Sequence, residues 1–159
     1  MSSPALRPTL ALAALTLALT ALPTTAPAQA PAGQKSLYDR LGGAYPIAVV
    51  VDEFINRLLV NEVINANPAI AAARTRVPAA GLKFHVSTLV CQVTGGPCTY
   101  TGRTMKQSHA HLNISDREWR EMVRVFQEVL GHFKVPAAEQ QELVAIVEST
   151  KGDIVAPGS

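Results

Sequence analysis

Apolar residues in this chain recur every three or four positions over long segments, and its β-branched residues form no alternating runs. Such spacing lines one face of an α-helix and is not the pattern of a strand. We therefore expect an all-α fold with helices over 47–59, over 115–133 and after Pro136. Their inward positions are Ile47, Val50, Val51, Phe54 and Leu58, then Trp119, Met122, Val123, Phe126, Leu130 and Phe133, then Leu143, Ile146 and Val147.

The ends of these segments carry their own signals. Ser115 and Glu118 form a capping box at the start of the second helix, and Pro136 suits the first turn of the last one. A further helix is predicted over 79–93 and a short one over 68–74. In the former we expect an inward face of Leu82, Val86, Leu89, Val90 and Val93. Glycines at 42–43, 95–96 and 102 allow sharp connections between helices.

The N-terminal segment has a composition of its own. Residues 1–30 contain Arg7 as an early cation, no acidic residue, an apolar run over 10–22 and an end rich in small residues. This is typical of a secretory signal peptide, with cleavage after Ala28 or Ala30, while an uncleaved anchor is the alternative. We expect a periplasmic protein with one domain over 31–159 and no stable membrane insertion after cleavage.

Charge and cysteine content bear on the possible partners and on a possible disulfide. The formal net charge is +2 and no basic run stands out, so a nucleic-acid partner is not indicated. An oxidising compartment permits a bond between Cys91 and Cys98, which lie seven positions apart. The alternative is two unbonded thiols, one buried at a helix end and one in a loop. Both interpretations stay open at the level of sequence.

The chain has four histidines, and two of them stand in a context that suggests a ligand. His132 lies near a helix end, where a cation is favoured. His85 lies on the apolar side of its predicted helix, and His109 ends a short segment with Met105 one turn earlier. If these segments face each other across a gap, an imidazole lines an apolar slot. That is how proteins hold haem iron.

Short motifs stand in a fixed order between Ser36 and Val155. They are Leu37-Tyr38-Asp39-Arg40-Leu41-Gly42-Gly43, Val51-Asp52-Glu53-Phe54, Gly95-Gly96-Pro97, Tyr100-Thr101-Gly102-Arg103, Met105-Lys106-Gln107-Ser108-His109 and Lys151-Gly152-Asp153-Ile154-Val155. Together they resemble the group I truncated haemoglobins. The resemblance implies a two-over-two helical sandwich around haem b, with His109 as the proximal iron ligand and His111 turned to solvent. A carbonyl near Met105 would then accept the other ring N–H of His109.

On the distal side the sequence departs from that family. Ile55 replaces the usual tyrosine after Phe54, and Val86 replaces the usual glutamine. In cyanobacterial relatives, a histidine at the position of His85 can be the sixth iron ligand. Two interpretations follow: His85 binds the iron, or it swings to the cofactor edge and leaves an apolar pocket of Ile55, Leu82 and Val86. Without hydroxyl and amide donors, we predict faster release of oxygen than in relatives that have them.

The resemblance also implies which side chains touch the cofactor. Lys83, Arg103 and Lys106 flank the slot and are expected either to pair with haem propionates or to form a solvated basic face. The complete set of expected contacts is Phe54, Ile55, Leu82, Lys83, Val86, Arg103, Met105, Lys106 and Phe126.

Three functional hypotheses follow. The first is an exported haem-binding globin that takes O2, NO or CO and supports nitric oxide or peroxide detoxification with an unknown reductase. The second is an electron-transfer or redox-sensing protein with both His85 and His109 on the iron. The third is a globin-shaped interaction module without haem.

Overall fold

The computed structural model of the protein describes residues 35–158, which fold as α-helices without strands. The predicted signal peptide and its cleavage sites lie outside the described residues. Among residues 35–158, no helix has both the length and the apolar character needed to cross a membrane. The helices are α1 (Leu37–Arg40), α2 (Ala44–Val60), α3 (Glu62–Asn65), α4 (Pro68–Arg74), α5 (Ala79–Val93), α6 (Met105–His109), α7 (Asp116–His132), α8 (Ala137–Glu148) and α9 (Lys151–Ile154).

These bounds confirm the helices predicted from periodicity. The short helix over 68–74 and the helix over 79–93 end at the predicted residues. Three details were wrong. Phe133, predicted to point inward, is exposed because it is the C-cap of α7 and not part of its buried face. Val93 is exposed because it lies in the last turn of α5, where Cys91 is the buried residue. Pro136 is the N-cap of α8 and does not lie in its first turn. The single turn of α3 was not predicted, since four residues are too few to show a period.

The long helices pack as two pairs. Helix α2 lies against α5 and also against α7, and α7 packs on α8. The short elements close the ends: α1 contacts α8, α3 contacts α7, and α6 contacts α9. This is the two-over-two sandwich that the sequence predicted.

Two groups of buried side chains hold the pairs together. Ile47, Val51 and Ile55 of α2 pack against half-buried residues of α5. Phe126 and Leu130 of α7 form the other group with Leu37 and Leu143. Phe54 touches both groups, and its ring meets that of Phe126 edge to face, with centroids 5.2 Å apart. The two layers therefore share one continuous apolar interior.

Two backbone features fix the chain near the shorter helices. Gly43 caps α2 at φ 89°, a conformation that a residue with a Cβ rarely adopts, so the turn from α1 into α2 requires glycine. At the other end, the N–H of Ala156 donates to the carbonyl of Ile114 at 2.8 Å, and Val155 pairs with Ile114. This bond ties the C-terminal segment to the loop that follows α6.

Candidate functional site

His109 ends α6, and its ring orientation is set by the backbone of the same helix. Its Nδ1 lies 2.8 Å from the carbonyl oxygen of Met105. With the Nδ1–H donated to that carbonyl, the lone pair of Nε2 is left to bind something else. The carbonyl acceptor predicted at Met105 is confirmed.

Helix α6 is short, and local hydrogen bonds define its start. The N–H of Gln107 donates to Oγ1 of Thr104 at 3.2 Å, and the N–H of Thr104 donates to Oε1 of Gln107 at 3.1 Å. This capping box satisfies free donors at the first turn, which an isolated helix of five residues needs in order to form. The ring of His109 is therefore held within a locally ordered unit, half-buried from solvent.

His85 on α5 has a different environment. The sequence placed it on the apolar side of its helix, but in the structure it is exposed. Its ring meets that of Phe84 edge to face, with centroids 5.7 Å apart, and that of Tyr100 at 6.1 Å. The prediction was wrong because Leu82 and Val86 take the inward positions of that helix, which leaves His85 beside its aromatic neighbours.

Tyr100 is the contact that sequence reasoning missed. Its N–H donates to Oε1 of Gln92 at 2.7 Å, and its hydroxyl donates to the carbonyl of Arg103 at 2.8 Å. A Cβ on Gly102 would lie 2.3 Å from the Tyr100 hydroxyl oxygen, so the loop closes around this ring only with glycine there. The Tyr100-Thr101-Gly102-Arg103 motif was noticed, but nothing in it indicates a partner on α5.

The two cysteines are joined. Cys91, buried in α5, forms a disulfide with Cys98, and their Cα atoms are 5.8 Å apart. The structure thereby decides between the two interpretations that the sequence left open. The bond ties the end of α5 to the loop that carries Tyr100 and leads to α6.

The apolar residues expected on the distal side come together as one group. Ile55 is only 3% exposed and packs among Leu82 and Val86 of α5. None of these three side chains has a hydrogen-bond donor, so this wall contains neither the hydroxyl nor the amide that the family resemblance would place there. Phe54 and Phe126 lie beside this group, where they join the two layers.

The three cations expected near the slot differ in their surroundings. Nζ of Lys83 lies 2.7 Å from Oδ1 of Asp52 and 2.7 Å from Oδ1 of Asn56, both on α2. Lys83 would have to leave these partners to reach a propionate. Arg103 and Lys106 are exposed, and within the described part of the chain neither forms an ion pair. His111 and His132 are exposed as well.

The helical sandwich and an imidazole with one nitrogen held by its own helix define a class of protein, the globins. The family model of the bacterial-like globins matches residues 36–156, and the chain belongs to that family. More narrowly, it is a truncated haemoglobin. This membership implies a haem cofactor.

Named relatives and solved structures agree with this assignment. The group 1 truncated haemoglobin GlbN of Nostoc sp. is 28% identical over 76% of this chain and 97% of the relative. The truncated haemoglobin of Tetrahymena pyriformis in the Fe(III) form covers 77% of this chain and 99% of its own, with a TM-score of 0.68 and 19% identity. The 2/2 haemoglobin of Synechococcus sp. PCC 7002 was solved in the cyanomet state with covalently attached haem. It covers 76% of this chain and 98% of its own, with a TM-score of 0.67 and 24% identity. At these identities the two structures support the fold alone.

The side chains present fit a haem group. His109 offers one imidazole nitrogen in a fixed tautomer, and this nitrogen would bind an iron whose remaining protein-independent ligands come from the porphyrin. Ile55, Leu82 and Val86 supply an apolar wall, and Arg103 and Lys106 are exposed cations that could pair with the carboxylates of the group. The expected site residues thus form two groups, one on α2 and α5 and one on α6 and the loop before it, while Phe126 lies on α7.

Proposed function

We propose that this protein binds haem b through His109 and takes up small diatomic gases, O2, NO or CO, on the opposite side. The observation that carries the proposal is the Nδ1–Met105 hydrogen bond, because it fixes the tautomer that a metal ligand needs. The bound cofactor would supply reversible gas ligation and one-electron chemistry. The protein's own part is to orient His109 and to keep the gas side apolar with Ile55, Leu82 and Val86.

The surroundings of His85 favour gas binding over the bis-histidyl alternative. Its ring is exposed and rests against Tyr100 and Phe84, and His85 is not part of the apolar group that contains Ile55, Leu82 and Val86. A gas held at that wall meets no hydroxyl or amide donor. We therefore propose weak retention of oxygen.

Absorption spectra of the haem-reconstituted protein test this proposal. We expect wild type to give a five-coordinate ferrous spectrum, His85→Ala to keep both haem and that spectrum, and His109→Ala to lose most of the haem. His132→Ala is the matched control, since His132 is an exposed histidine on α7. A low-spin ferrous spectrum that disappears in His85→Ala would instead support the bis-histidyl protein. A chain without a Soret band would leave only the haem-free module.

We further propose that the globin removes nitric oxide or peroxide, with electrons from a reductase. Support comes only from the chemistry that haem with a histidine ligand can carry out. Consumption of nitric oxide by the oxygen-loaded protein, followed with an NO electrode, tests this activity. A rate no higher than that of the His109→Ala variant would contradict it.

Export to the periplasm is proposed from the composition of residues 1–30. The disulfide is consistent with an oxidising compartment. Expression of the full chain, followed by fractionation and N-terminal sequencing, should yield a periplasmic protein that begins after Ala28 or Ala30. Full-length protein in the cytoplasmic or membrane fraction would contradict the proposal.

A further inference from the structure

The disulfide lies close to the aromatic ring that rests against His85. Cys91 is in the last turn of α5, and Cys98 is in the loop that follows this helix. Tyr100 comes two residues after Cys98, and its ring centroid lies 6.1 Å from that of His85, with the ring planes at 86°. One reducible covalent bond therefore lies two residues from a contact of the candidate sixth ligand.

The disulfide shortens the tether between Tyr100 and α5. Two residues, from Cys98 to Tyr100, span at most about 7 Å. Without the disulfide, the nearest backbone hydrogen bond between this loop and α5 in the described residues runs from the N–H of Gly96 to the carbonyl of Cys91 at 2.8 Å. The four residues from Gly96 to Tyr100 span up to about 14 Å. A shorter tether raises the effective concentration of one group at the other, so the disulfide favours the contact of Tyr100 with α5.

The hydrogen bonds of Tyr100 are a weaker restraint. Its N–H donates to Oε1 of Gln92, an exposed residue of α5, and its hydroxyl donates to the carbonyl of Arg103 in its own loop. A hydrogen bond to an exposed side chain competes with water, and a single edge-to-face ring contact also contributes little free energy. We therefore expect that loss of the disulfide lets Tyr100 leave His85.

His85 stands at the border of the apolar face of α5. A helix turns about 100° per residue, so His85, three residues after Leu82, lies about 60° from it around the helix axis. Leu82 and Val86 of the apolar wall are thus its neighbours on the helix surface. A change of χ1 between staggered rotamers moves the imidazole across that surface without moving the backbone. The contact with Tyr100 opposes this change.

We infer that the disulfide between Cys91 and Cys98 is a redox switch for the proposed gas site. In the bonded protein, Tyr100 keeps His85 at the surface, and the sixth position on the iron is left to a gas. In the reduced protein, His85 is released and competes with the gas for that position. The inference rests on the proposed haem binding through His109 and adds a means of regulation to it.

A dithiol is the class of reductant that would operate the switch. Its thiolate attacks Sγ of Cys98, which is half-buried, whereas Cys91 is only 2% exposed. This attack breaks the protein S–S bond and releases the thiolate of Cys91, and the second thiol of the reductant then displaces Cys98. The protein gains two electrons and two protons and holds two thiols, while the dithiol becomes a disulfide.

NMR spectra of the full chain without added haem test the release of His85. Treatment with dithiothreitol and its anaerobic removal should shift the His85 ring signals towards those of an unpacked histidine. Cys98→Ala should give the same shift without dithiothreitol, and it should fold because the buried Cys91 side chain stays in α5. Thr99→Ala changes an exposed residue beside Cys98 and is the matched control, which should match wild type before and after reduction.

Absorption spectra of the haem-reconstituted ferrous protein test the coordination of the iron. Reduction of the disulfide should raise the low-spin fraction roughly 2- to 10-fold, the range that follows from loss of one ring contact. Cys98→Ala should show the raised fraction before reduction and no further change after it. His85→Ala should show no rise.

Three results would overturn the inference. The first is His85 ring signals that stay unchanged in both reduced wild type and Cys98→Ala. The second is a low-spin fraction that does not respond to reduction, and the third is a rise of equal size in His85→Ala, which would come from another ligand. A chain that takes up no haem, while its His85 signals respond to reduction, would contradict the proposed function and still support the release of His85, so the two failures are distinguishable.

Discussion

The two sides of the proposed haem site are built differently. On α6, His109 is oriented by a hydrogen bond to a carbonyl of its own helix, and the start of that helix is fixed by a local capping box. On α2 and α5, the distal side depends on residues brought together by tertiary packing, and His85 rests on a loop aromatic. The orientation of the proximal ligand is thus set by residues close to it in sequence, whereas the distal pocket is formed by residues from two separate helices.

Removal of His109, the ligand oriented by its own helix, should have the largest effect, which we expect on haem affinity. Loss of an outer partner of a metal ligand costs roughly 10- to 100-fold in affinity, so loss of the ligand itself in His109→Gly should exceed about 100-fold. Added imidazole should restore haem uptake, since it supplies the missing nitrogen. Haem transfer to an acceptor protein measures retention. His111→Gly, two residues away and exposed, should retain haem like wild type, and equal loss in both variants would contradict the assignment.

A hydrogen-bond donor added on the distal side should have the next largest effect, which we expect on oxygen release. Ile55→Tyr supplies the hydroxyl that the apolar wall lacks, and a hydrogen bond of about 1–3 kcal/mol would slow oxygen release roughly 5- to 150-fold. Ile55→Phe brings the same ring without the hydroxyl, and controls for overpacking at this buried position. Stopped-flow release of oxygen from the ferrous protein measures the rates. Equal rates in the two variants would show that no hydrogen bond forms.

A smaller effect is expected from the ring contact between His85 and Tyr100, which joins α5 to the loop that leads to α6. An edge-to-face ring contact is worth about 0.5–1.5 kcal/mol, so Tyr100→Leu should free His85 and raise any low-spin fraction by roughly 2- to 12-fold. In the haem-free protein, the NMR signals of the His85 ring should shift towards values of an unpacked histidine. Phe133→Leu is the matched control, because Phe133 meets His132 in the same way, with centroids 5.0 Å apart. If His85 responds no more to Tyr100→Leu than to Phe133→Leu, the contact does not hold it.

The smallest effect should come from Glu121, a carboxylate that belongs to neither side of the proposed haem site. A side-chain hydrogen bond with Arg124, and then one with Asn61, lowers the pKa of Glu121 from its ordinary 4.5 to about 2. Because the folded pKa lies below the unfolded value, these bonds stabilise the protein above pH 4.5, and that stability is lost as pH falls towards 2. Since the pair is close to solvent, we expect a contribution of under about 1 kcal/mol.

Urea unfolding of wild type and Glu121→Gln at pH 7 and pH 3 measures this contribution. The difference in the free energy of unfolding should be present at pH 7 and reduced at pH 3. Neither haem retention nor gas release should change, because Glu121 touches neither side of the site. A difference that is unchanged with pH would show that the carboxylate charge is not its source.

The proximal half of the site could be predicted from sequence because its determinants are adjacent in the chain. Thr104, Met105, Gln107 and His109 lie within one short segment, and hydrogen bonds between neighbours decide their arrangement. The position of His85 was predicted wrongly for the opposite reason. Helical periodicity indicates a face, but only the loop that carries Tyr100, folded against α5, determines what surrounds that histidine.

The amino-acid sequence was sufficient to predict the long helices, the capping box at Ser115 and the carbonyl acceptor for His109, because each depends on residues a few positions apart. The family followed from the order of several short motifs. Only the tertiary structure decided that Cys91 and Cys98 bond, that Lys83 pairs with Asp52, and that a cavity opens beside Lys134. The Lys83–Asp52 pair and the cavity depend on distances between helices that are far apart in sequence, and the disulfide depends on how the loop after α5 folds back onto that helix. Such distances are set when the helices pack, and no local pattern encodes them.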